Sequence, residues 1–226
     1  MKIIAIIPAR MGSSRFPGKP LARILDKSMI EHVYLRASIS DVLEDVFITT
    51  PDEEIRREVE RFGGKVIMTS PKHERASDRV AEAAKGIDCD IVINLQGDEP
   101  LIHPEMISLA VKPLVKSKEV VCSNIVKRIE KESDYIDPNM IKVVADRNMN
   151  ALYFSREAIP TKRLLGFGNI PTNSPLANFN ALFVFGTIPR FFSFLENLIL
   201  GSLKLLTISS ELSVEQSSTT TISKSW

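Results

Sequence analysis

The chain is 226 residues long, is 25% charged and 44% apolar, and carries a formal net charge of +1. This length suits one substantial domain, and the near-neutral charge excludes a bulk electrostatic attraction for nucleic acid or for an anionic membrane. Because no signal peptide precedes the first predicted strand and no apolar run reaches about 18 residues, we expect a soluble, cytoplasmic protein.

The chain opens with a predicted buried strand that leads into a basic loop. Residues Ile3 to Ile7 show no polar alternation, which is typical of a strand buried on both faces of a parallel sheet. The loop from Arg10 to Lys19 contains one proline, two glycines and three cations, a combination that suits a polyphosphate. An ordinary solvated basic turn explains the same residues equally well. A Walker loop is excluded, because Lys19 is followed by Pro20 and not by Ser or Thr.

The next segments alternate between helix and strand. The predicted helices are Ser28 to Ser38 and Asp52 to Phe62, and the predicted strands are Val46 to Thr49 and Lys65 to Thr69. This order predicts an α/β fold with a Rossmann-like, mostly parallel sheet and helices on both faces. Ligands bind such sheets beyond the carboxyl ends of the strands, which is where the basic loop should lie.

Two further segments carry candidate site residues. A helix is predicted over Ser77 to Lys85, where Ser77 and Asp78 have the ordinary interpretation of helix caps. A buried strand over Asp90 to Leu95 leads into Gly97 and Asp98. A carboxylate at this point can coordinate Mg²⁺ that bridges nucleotide phosphates, or it can simply cap the following turn.

The remaining predicted elements complete the sheet. They are a helix over Pro104 to Lys116, strands over Val120 to Val126, Met140 to Ala145 and Ala151 to Ser155, and a charged connection over Lys127 to Asp137.

The two cysteines, Cys89 and Cys122, have no metal or redox spacing and lie beside apolar runs, so we expect buried free thiols.

Three motifs resemble one family. P-A-R-M-G-S-S-R-F-P-G-K-P-L, V-I-N-L-Q-G-D-E-P and A-L-Y-F-S-R-E-A-I-P are similar to segments of the sugar nucleotidyltransferases that activate acidic sugars with CTP. Within that group the chain most resembles the 3-deoxy-manno-octulosonate (Kdo) cytidylyltransferases. The resemblance implies a nucleotide-diphospho-sugar transferase type of fold, CTP and an acidic 3-deoxy-octulosonate as partners, Mg²⁺ as cofactor, and a homodimer.

The resemblance also implies roles for individual residues. Lys19, Arg15 and Asp98 would be catalytic, with Asp98 also the metal ligand, and Arg156 could face the sugar or a phosphate. The S-x-x-D-R element of the family corresponds to the segment that ends at Arg79, although this chain has Ala-Ser where a Gly-Thr pair is expected. The implied nucleotide contacts are Ala9, Arg10, Ser13, Arg15, Lys19, Ser77, Asp78, Arg79 and Gln96.

The resemblance covers residues 1–172 and then stops, so we predict a nucleotidyltransferase domain over 1–172 and an aberrant tail over 173–226. The first part holds 51 of the 57 charged side chains, and no aspartate follows Asp146 to serve as the family's second metal carboxylate. One hypothesis is a frameshift, because a shifted frame of residues 177–221 can encode family-like fragments in order. Residues 177–206 remain apolar enough to collapse onto the sheet.

Three functions are therefore open. The first is transfer of CMP from CTP to Kdo with release of pyrophosphate, for lipopolysaccharide biosynthesis. The second is the same reaction on an 8-amino-octulosonate or a sialic acid. The third is a nucleotide-binding remnant that no longer turns over, because the second carboxylate is missing.

Overall fold

A computed structural model describes residues 1–12, 16–159, 181–184, 204–208 and 217–223. Outside these residues lie Ser13, Arg15 and most of the apolar stretch 177–206. Most of the segment 177–221, to which the frameshift hypothesis applies, also lies outside them. The strands are β1 (Ile3–Pro8), β2 (Arg23–Ile24), β3 (Lys27–Ser28), β4 (Asp45–Thr50), β5 (Val66–Met68), β6 (Ile91–Leu95), β7 (Val120–Arg128), β8 (Ile141–Ala145), β9 (Ala151–Ser155), β10 (Ala181–Val184), β11 (Lys204–Ile208) and β12 (Ser217–Ser223). The helices are α1 (Met29–Ala37), α2 (Glu53–Arg61), α3 (Ala76–Ala84), α4 (Pro104–Lys116) and α5 (Glu132–Ile136).

One mixed sheet organises the fold. Its strands β5, β4, β1, β6, β11 and β7 lie side by side and parallel, whereas β8, β9, β10 and β12 run antiparallel to the strands they pair with. Every residue of β1 and of β6 is buried, which is why both strands read as uninterrupted apolar runs. The predicted Rossmann-like, mostly parallel sheet is confirmed.

Helices cover both faces of this sheet. Alternate residues of β1, such as Ile3 and Ile7, share one core with the apolar sides of α1, α2 and α4. The residues between them, Ile4 and Ile6, share a second core with α3. The alternation follows from the strand itself, because successive side chains point to opposite faces.

Strand β7 is the branch point of the sheet. Its residue Asn124 pairs with both β11 and β12, and its residue Val126 pairs with both β10 and β12. Since a strand has only two edges, β11 and β10 follow one another along the edge opposite β12. Val184 of β10 pairs with Val126 on one side and with Ile141 of β8 on the other, so Ile141 and Val126 lie at the same level of the sheet. This level is just beyond the one at which β6 ends. The β8–β9 hairpin therefore lies beyond the carboxyl end of β6.

The described tail segments belong to the same sheet. Strand β10 pairs with β7 and β8, β11 lies between β6 and β7, and β12 pairs with β7. Part of the apolar stretch 177–206 thus pairs within the sheet, while its collapse onto the sheet and the boundary at residue 172 stay predictions.

Some local predictions were wrong. Helix α3 begins at Ala76 with Arg75 at its N-cap, so Ser77 and Asp78 lie inside its first turn and are not caps. The β2–β3 hairpin and α5 were not predicted, because strands of two residues and a helix of five show no hydrophobic periodicity. Strand β7 extends to Arg128, two residues past its predicted end.

Candidate active site

The basic loop after β1 is fixed by its backbone. The Ala9 N–H donates to the Thr49 carbonyl at 2.9 Å, and the Gly18 N–H donates to the Met11 carbonyl at 3.0 Å, which closes the loop at its base. Gly18 has a φ of 72°, a left-handed conformation that favours glycine. The chain then enters a 3-10 turn at Lys19. The loop is therefore held at both ends, while its central residues 13–15 lie outside the described part.

The two principal motifs meet at Lys19 and Asp98. The Lys19 ammonium lies 2.6 Å from Asp98 Oδ2, although 79 positions separate the residues in sequence. Lys19 follows the loop from β1, and Asp98 follows β6, so the neighbouring parallel strands bring them to one edge of the sheet. About a third of the Lys19 side chain and 45% of the Asp98 side chain are exposed, so a ligand can reach both groups.

Gly97 allows the turn that carries Asp98 to lie close to the end of β1. A Cβ built on Gly97 would lie 3.0 Å from the Pro8 carbonyl oxygen and 3.2 Å from Ile30 Cδ1. A side chain at this position would therefore crowd the Pro8 carbonyl and the Ile30 side chain, and one of these groups would have to shift. The G-D pair of the motif therefore has a steric reason, which is the close approach of two backbones.

The other predicted contacts near the loop differ in accessibility. Ala9 is buried, Gln96 and the loop residue Met11 are half-buried, and Arg10 is exposed beyond the end of β1. The charge of Arg10 lies close enough to Arg79 to lower the pKa of the Arg79 guanidinium, although burial is the main cause of that lowering. Among the described residues of the loop, the exposed Arg10 guanidinium can reach an anion in solvent.

Arg79 is turned into the protein. It is 3% exposed, and its guanidinium donates to Thr69 Oγ1 at 2.8 Å and to the Ser70 carbonyl at 3.1 Å. A third bond reaches the His73 carbonyl at 3.4 Å. Arg79 thus holds the loop between β5 and α3, while the half-buried Ser77 and Asp78 precede it in the first turn of that helix. Its predicted contact with nucleotide stays a prediction.

Asp52 is a site residue that the sequence analysis missed. Its carboxylate accepts the Met11 N–H at 2.7 Å, and so ties the end of β4 to the basic loop. Its own N–H donates to Thr50 Oγ1 at 3.1 Å. The sequence places Asp52 at a helix start, where an aspartate is expected to cap its own helix. Its position after a predicted parallel strand was the signal that could have identified it.

Arg156 lies at the end of β9 and is exposed. Its Nη1 donates to the Asn139 carbonyl at 3.0 Å and to the Pro138 carbonyl at 3.2 Å. The predicted contact of Arg156 with sugar or phosphate stays a prediction.

The residues present fit a magnesium ion that takes most of its ligands from water and phosphate. Among the described residues no cluster of three His, Cys, Asp or Glu side chains could hold a metal alone. Asp98 offers an accessible carboxylate directly beside a lysine that can bind phosphate. Mg²⁺ commonly uses one or two carboxylates together with substrate phosphates, so Asp98 suits it.

A mostly parallel α/β sheet with a basic loop and a carboxylate at its carboxyl edge is the architecture of a nucleotidyltransferase. A family model described as cytidylyltransferase matches residues 4–164, and the chain belongs to that family. Within the described part of the chain, no helix is long and apolar enough to cross a membrane.

Curated relatives carry a more specific name. The 3-deoxy-manno-octulosonate cytidylyltransferases of Geobacter metallireducens and Thermodesulfovibrio yellowstonii are 49% identical over 163 residues and 50% identical over 171 residues. Each alignment covers 72% of this chain, and 64% and 67% of the respective relative. The chain thus spans about two thirds of the length of these relatives, or slightly less.

Solved structures agree with the fold. A CMP:2-keto-3-deoxy-manno-octonic acid synthetase complexed with CTP is 30% identical, with a TM-score of 0.73 over 96% of this chain and 94% of that chain. A 4-diphosphocytidyl-2C-methyl-D-erythritol synthase is 14% identical with a TM-score of 0.51 over the same shares, and shares the fold alone.

Proposed function

We propose that this protein transfers CMP from CTP to the anomeric hydroxyl of 3-deoxy-D-manno-octulosonate, and releases pyrophosphate. The observation that carries the proposal is the pair formed by Lys19 and Asp98, since it brings a phosphate-binding cation and a carboxylate within 2.6 Å of each other at the carboxyl edge of the sheet. The names of the relatives and of the CTP-bound structure support the nucleotide and the sugar.

The chain would bind the triphosphate through charge and backbone. Arg10, Arg15 and Lys19 counter the phosphate charge, and the N–H groups of the basic loop donate to phosphate oxygens. Ser13, Gln96 and the start of α3 complete the predicted nucleotide contacts. Asp98 would hold Mg²⁺, which when bound neutralises charge on the phosphates.

The reaction asks these residues for position and charge stabilisation. The sugar hydroxyl attacks the α-phosphorus, a new O–P bond forms, the bond to the departing pyrophosphate breaks, and the hydroxyl proton passes to water. Lys19 can leave Asp98 for a phosphate oxygen, because the pair is half exposed and weakly held. No covalent intermediate is needed, so no nucleophilic side chain is required.

A nucleotide-binding remnant is the second candidate. It is favoured by one observation, which is that no aspartate follows Asp146 to add a second metal carboxylate. Sugars of the 8-amino-octulosonate and sialic acid classes are the alternative substrates within the first candidate. A cytoplasmic location, where CTP is made, and a homodimer are further parts of the proposal.

Pyrophosphate release by the purified chain with CTP, Mg²⁺ and Kdo tests the proposal. We expect Asp98→Ala to lower the rate by about 100-fold or more, since it removes the carboxylate that would hold Mg²⁺ beside the phosphates. Asp88→Ala is the matched control, because Asp88 is exposed before the amino end of β6, whereas Asp98 follows the carboxyl end of that strand. Thermal protection by CTP without any release would favour the remnant. Release from an 8-amino sugar in preference to Kdo would reassign the substrate.

A further inference from the structure

Strand β8 contains a buried lysine. Lys142 is 0% exposed, and its ammonium donates to the carbonyls of Asp137 at 2.5 Å, Arg156 at 2.6 Å and Met140 at 3.0 Å. An ammonium has three N–H donors, so these three acceptors satisfy it completely. Burying a cation is costly unless it is bound in this way, so the buried ammonium depends on these three carbonyls staying in place around it.

A second cation completes the arrangement from the other side. The Arg156 guanidinium donates to the carbonyls of Pro138 and Asn139. Together the two side chains bind the carbonyls of four consecutive residues, 137–140, while Lys142 also binds the carbonyl of Arg156. The segment 137–140 and the end of β9 are therefore locked to each other by reciprocal contacts, which we call the carbonyl clamp.

The clamp lies beside the candidate active site. Thr207 of β11 pairs with both Asn94 of β6 and Asn124 of β7, so those two residues are at one level. Ile141 is level with Val126, two residues further along β7. Lys142 is therefore near the level of Gly97, past the end of β6. It lies at the same edge of the sheet as Asp98. The hairpin that the clamp supports therefore lies beyond that edge.

We propose that Lys142 is a positioning residue for the acidic sugar: through the carbonyl clamp it fixes Arg156 and segment 137–140 as the sugar-side wall of the site. This inference rests on the proposed function and assigns one of the two substrates to one part of the fold. The phosphate loop and β4 hold the nucleotide, and the β8–β9 hairpin holds the sugar. Loss of the ammonium removes the one donor that the carbonyls of Asp137, Met140 and Arg156 share, so the two segments are no longer joined through it and the wall shifts while the phosphate loop stays in place.

The test separates the two substrates kinetically. We expect Lys142→Met, which keeps length but cannot donate, to raise the KM for Kdo by about tenfold or more, because small displacements of a binding wall are costly. The KM for CTP should stay within about twofold of the wild-type value. Lys118→Met is the matched control, since Lys118 is exposed before the amino end of β7. Equal changes for both substrates, or none, would overturn the proposal.

Chemical rescue distinguishes a clamp from general packing. In Lys142→Ala, ammonium or K⁺ can occupy the space among the three carbonyls, as backbone carbonyls bind K⁺ elsewhere. We expect either ion to recover part of the lost Kdo affinity, whereas choline at the same ionic strength should not. If rescue is absent, or if choline rescues equally, the clamp is wrong.

Two further experiments apply if the Lys142 variants do not fold or if the wild-type chain is inactive. If the Lys142 variants do not fold, Arg156→Met removes the other half of the clamp at an exposed position, and it must raise the KM for Kdo more than that for CTP. If the wild-type chain releases no pyrophosphate, the proposed transfer fails, and Kdo binding to the CTP-saturated chain is measured by calorimetry. Weaker Kdo binding in Lys142→Met then supports the clamp, while unchanged or absent Kdo binding overturns it.

Discussion

At the scale of single residues, carboxylates organise the basic loop at the carboxyl edge of the sheet. Asp98 pairs with Lys19, and Asp52 accepts the Met11 N–H, so each of them holds one part of the basic loop. The two contacts differ in strength. The exposed ion pair contributes about 0 to 1 kcal/mol to stability, while a hydrogen bond from backbone to a half-buried carboxylate contributes about 1.5 to 3 kcal/mol. Asp52 is therefore the firmer support of the loop.

Asp52→Ala tests this support. We expect the free energy of unfolding to fall by about 1 to 3 kcal/mol and the affinity for CTP by about tenfold, because the Met11 N–H loses its acceptor. Denaturant unfolding and calorimetry with CTP measure the two effects. Asp52→Asn should lose less, since its amide oxygen still accepts, and the exposed Asp41→Ala serves as control. CTP binding by Asp52→Ala as tight as by Asp41→Ala would contradict the assigned role.

At the scale of elements, α3 and the loop before it form one unit. Arg79 binds the loop from inside, while Glu82 on the same helix accepts the Ser70 N–H at 3.0 Å and contacts the His73 ring. The Ser70 N–H is the main reason why the pKa of Glu82 lies below its ordinary value, with His73 and Arg79 lowering the pKa further. The start of α3, which carries the predicted nucleotide contacts Ser77 and Asp78, depends on this loop.

The lowered pKa of Glu82 gives a pH prediction. Since the folded-state pKa is below the ordinary value of 4.5, the stabilisation is complete above pH 4.5 and is lost as the pH falls through the folded-state value. We expect the unfolding free energy of the wild type to drop more steeply below pH 4.5 than that of Glu82→Gln. Glu74→Gln, exposed on the same loop, is the control. Parallel pH curves for wild type and Glu82→Gln would refute the link.

At the scale of the whole molecule, β7 joins the two halves of the sheet. Its amino-terminal part pairs with β11, its carboxyl-terminal part with β10, and its whole length with β12. Strand β6, which precedes Asp98, and the β8–β9 hairpin are thus connected through β7, by way of β11 and β10. Cys122 lies in this strand with 0% exposure, and burial raises the pKa of its thiol far above the ordinary value.

Thiol labelling reports the stability of this central strand. Cys122 should react with a thiol reagent only when the sheet opens, so its rate should follow global unfolding across a denaturant series. Cys89 is half-buried rather than buried as predicted, and it should react faster in the native state. Single variants, Cys89→Ser and Cys122→Ser, assign the two phases. Rapid native-state labelling of Cys122 would mean that β7 opens locally.

The sequence predicted most elements of the first 159 residues because their apolar patterns are strong. β1 and β6 have continuous apolar runs, and α1 shows its buried stripe with Ser28 as cap, whose Oγ accepts the Glu31 N–H. It could not predict Asp52 or Lys142 as supporting residues. Their partners are backbone groups 41 positions away for Asp52, and 2, 5 and 14 positions away for Lys142, so no side-chain spacing records the contacts.

The sequence by itself determined the class of fold, the family and the motif residues, since these depend on local patterns of hydrophobicity, charge and turn residues. Only the tertiary structure decided that Lys19 meets Asp98, that Arg79 is directed inward, and that Lys142 clamps the hairpin. The physical reason is strand pairing. The register of parallel neighbours decides which loop ends become adjacent, and burial then decides whether a cation binds backbone or remains available to a ligand.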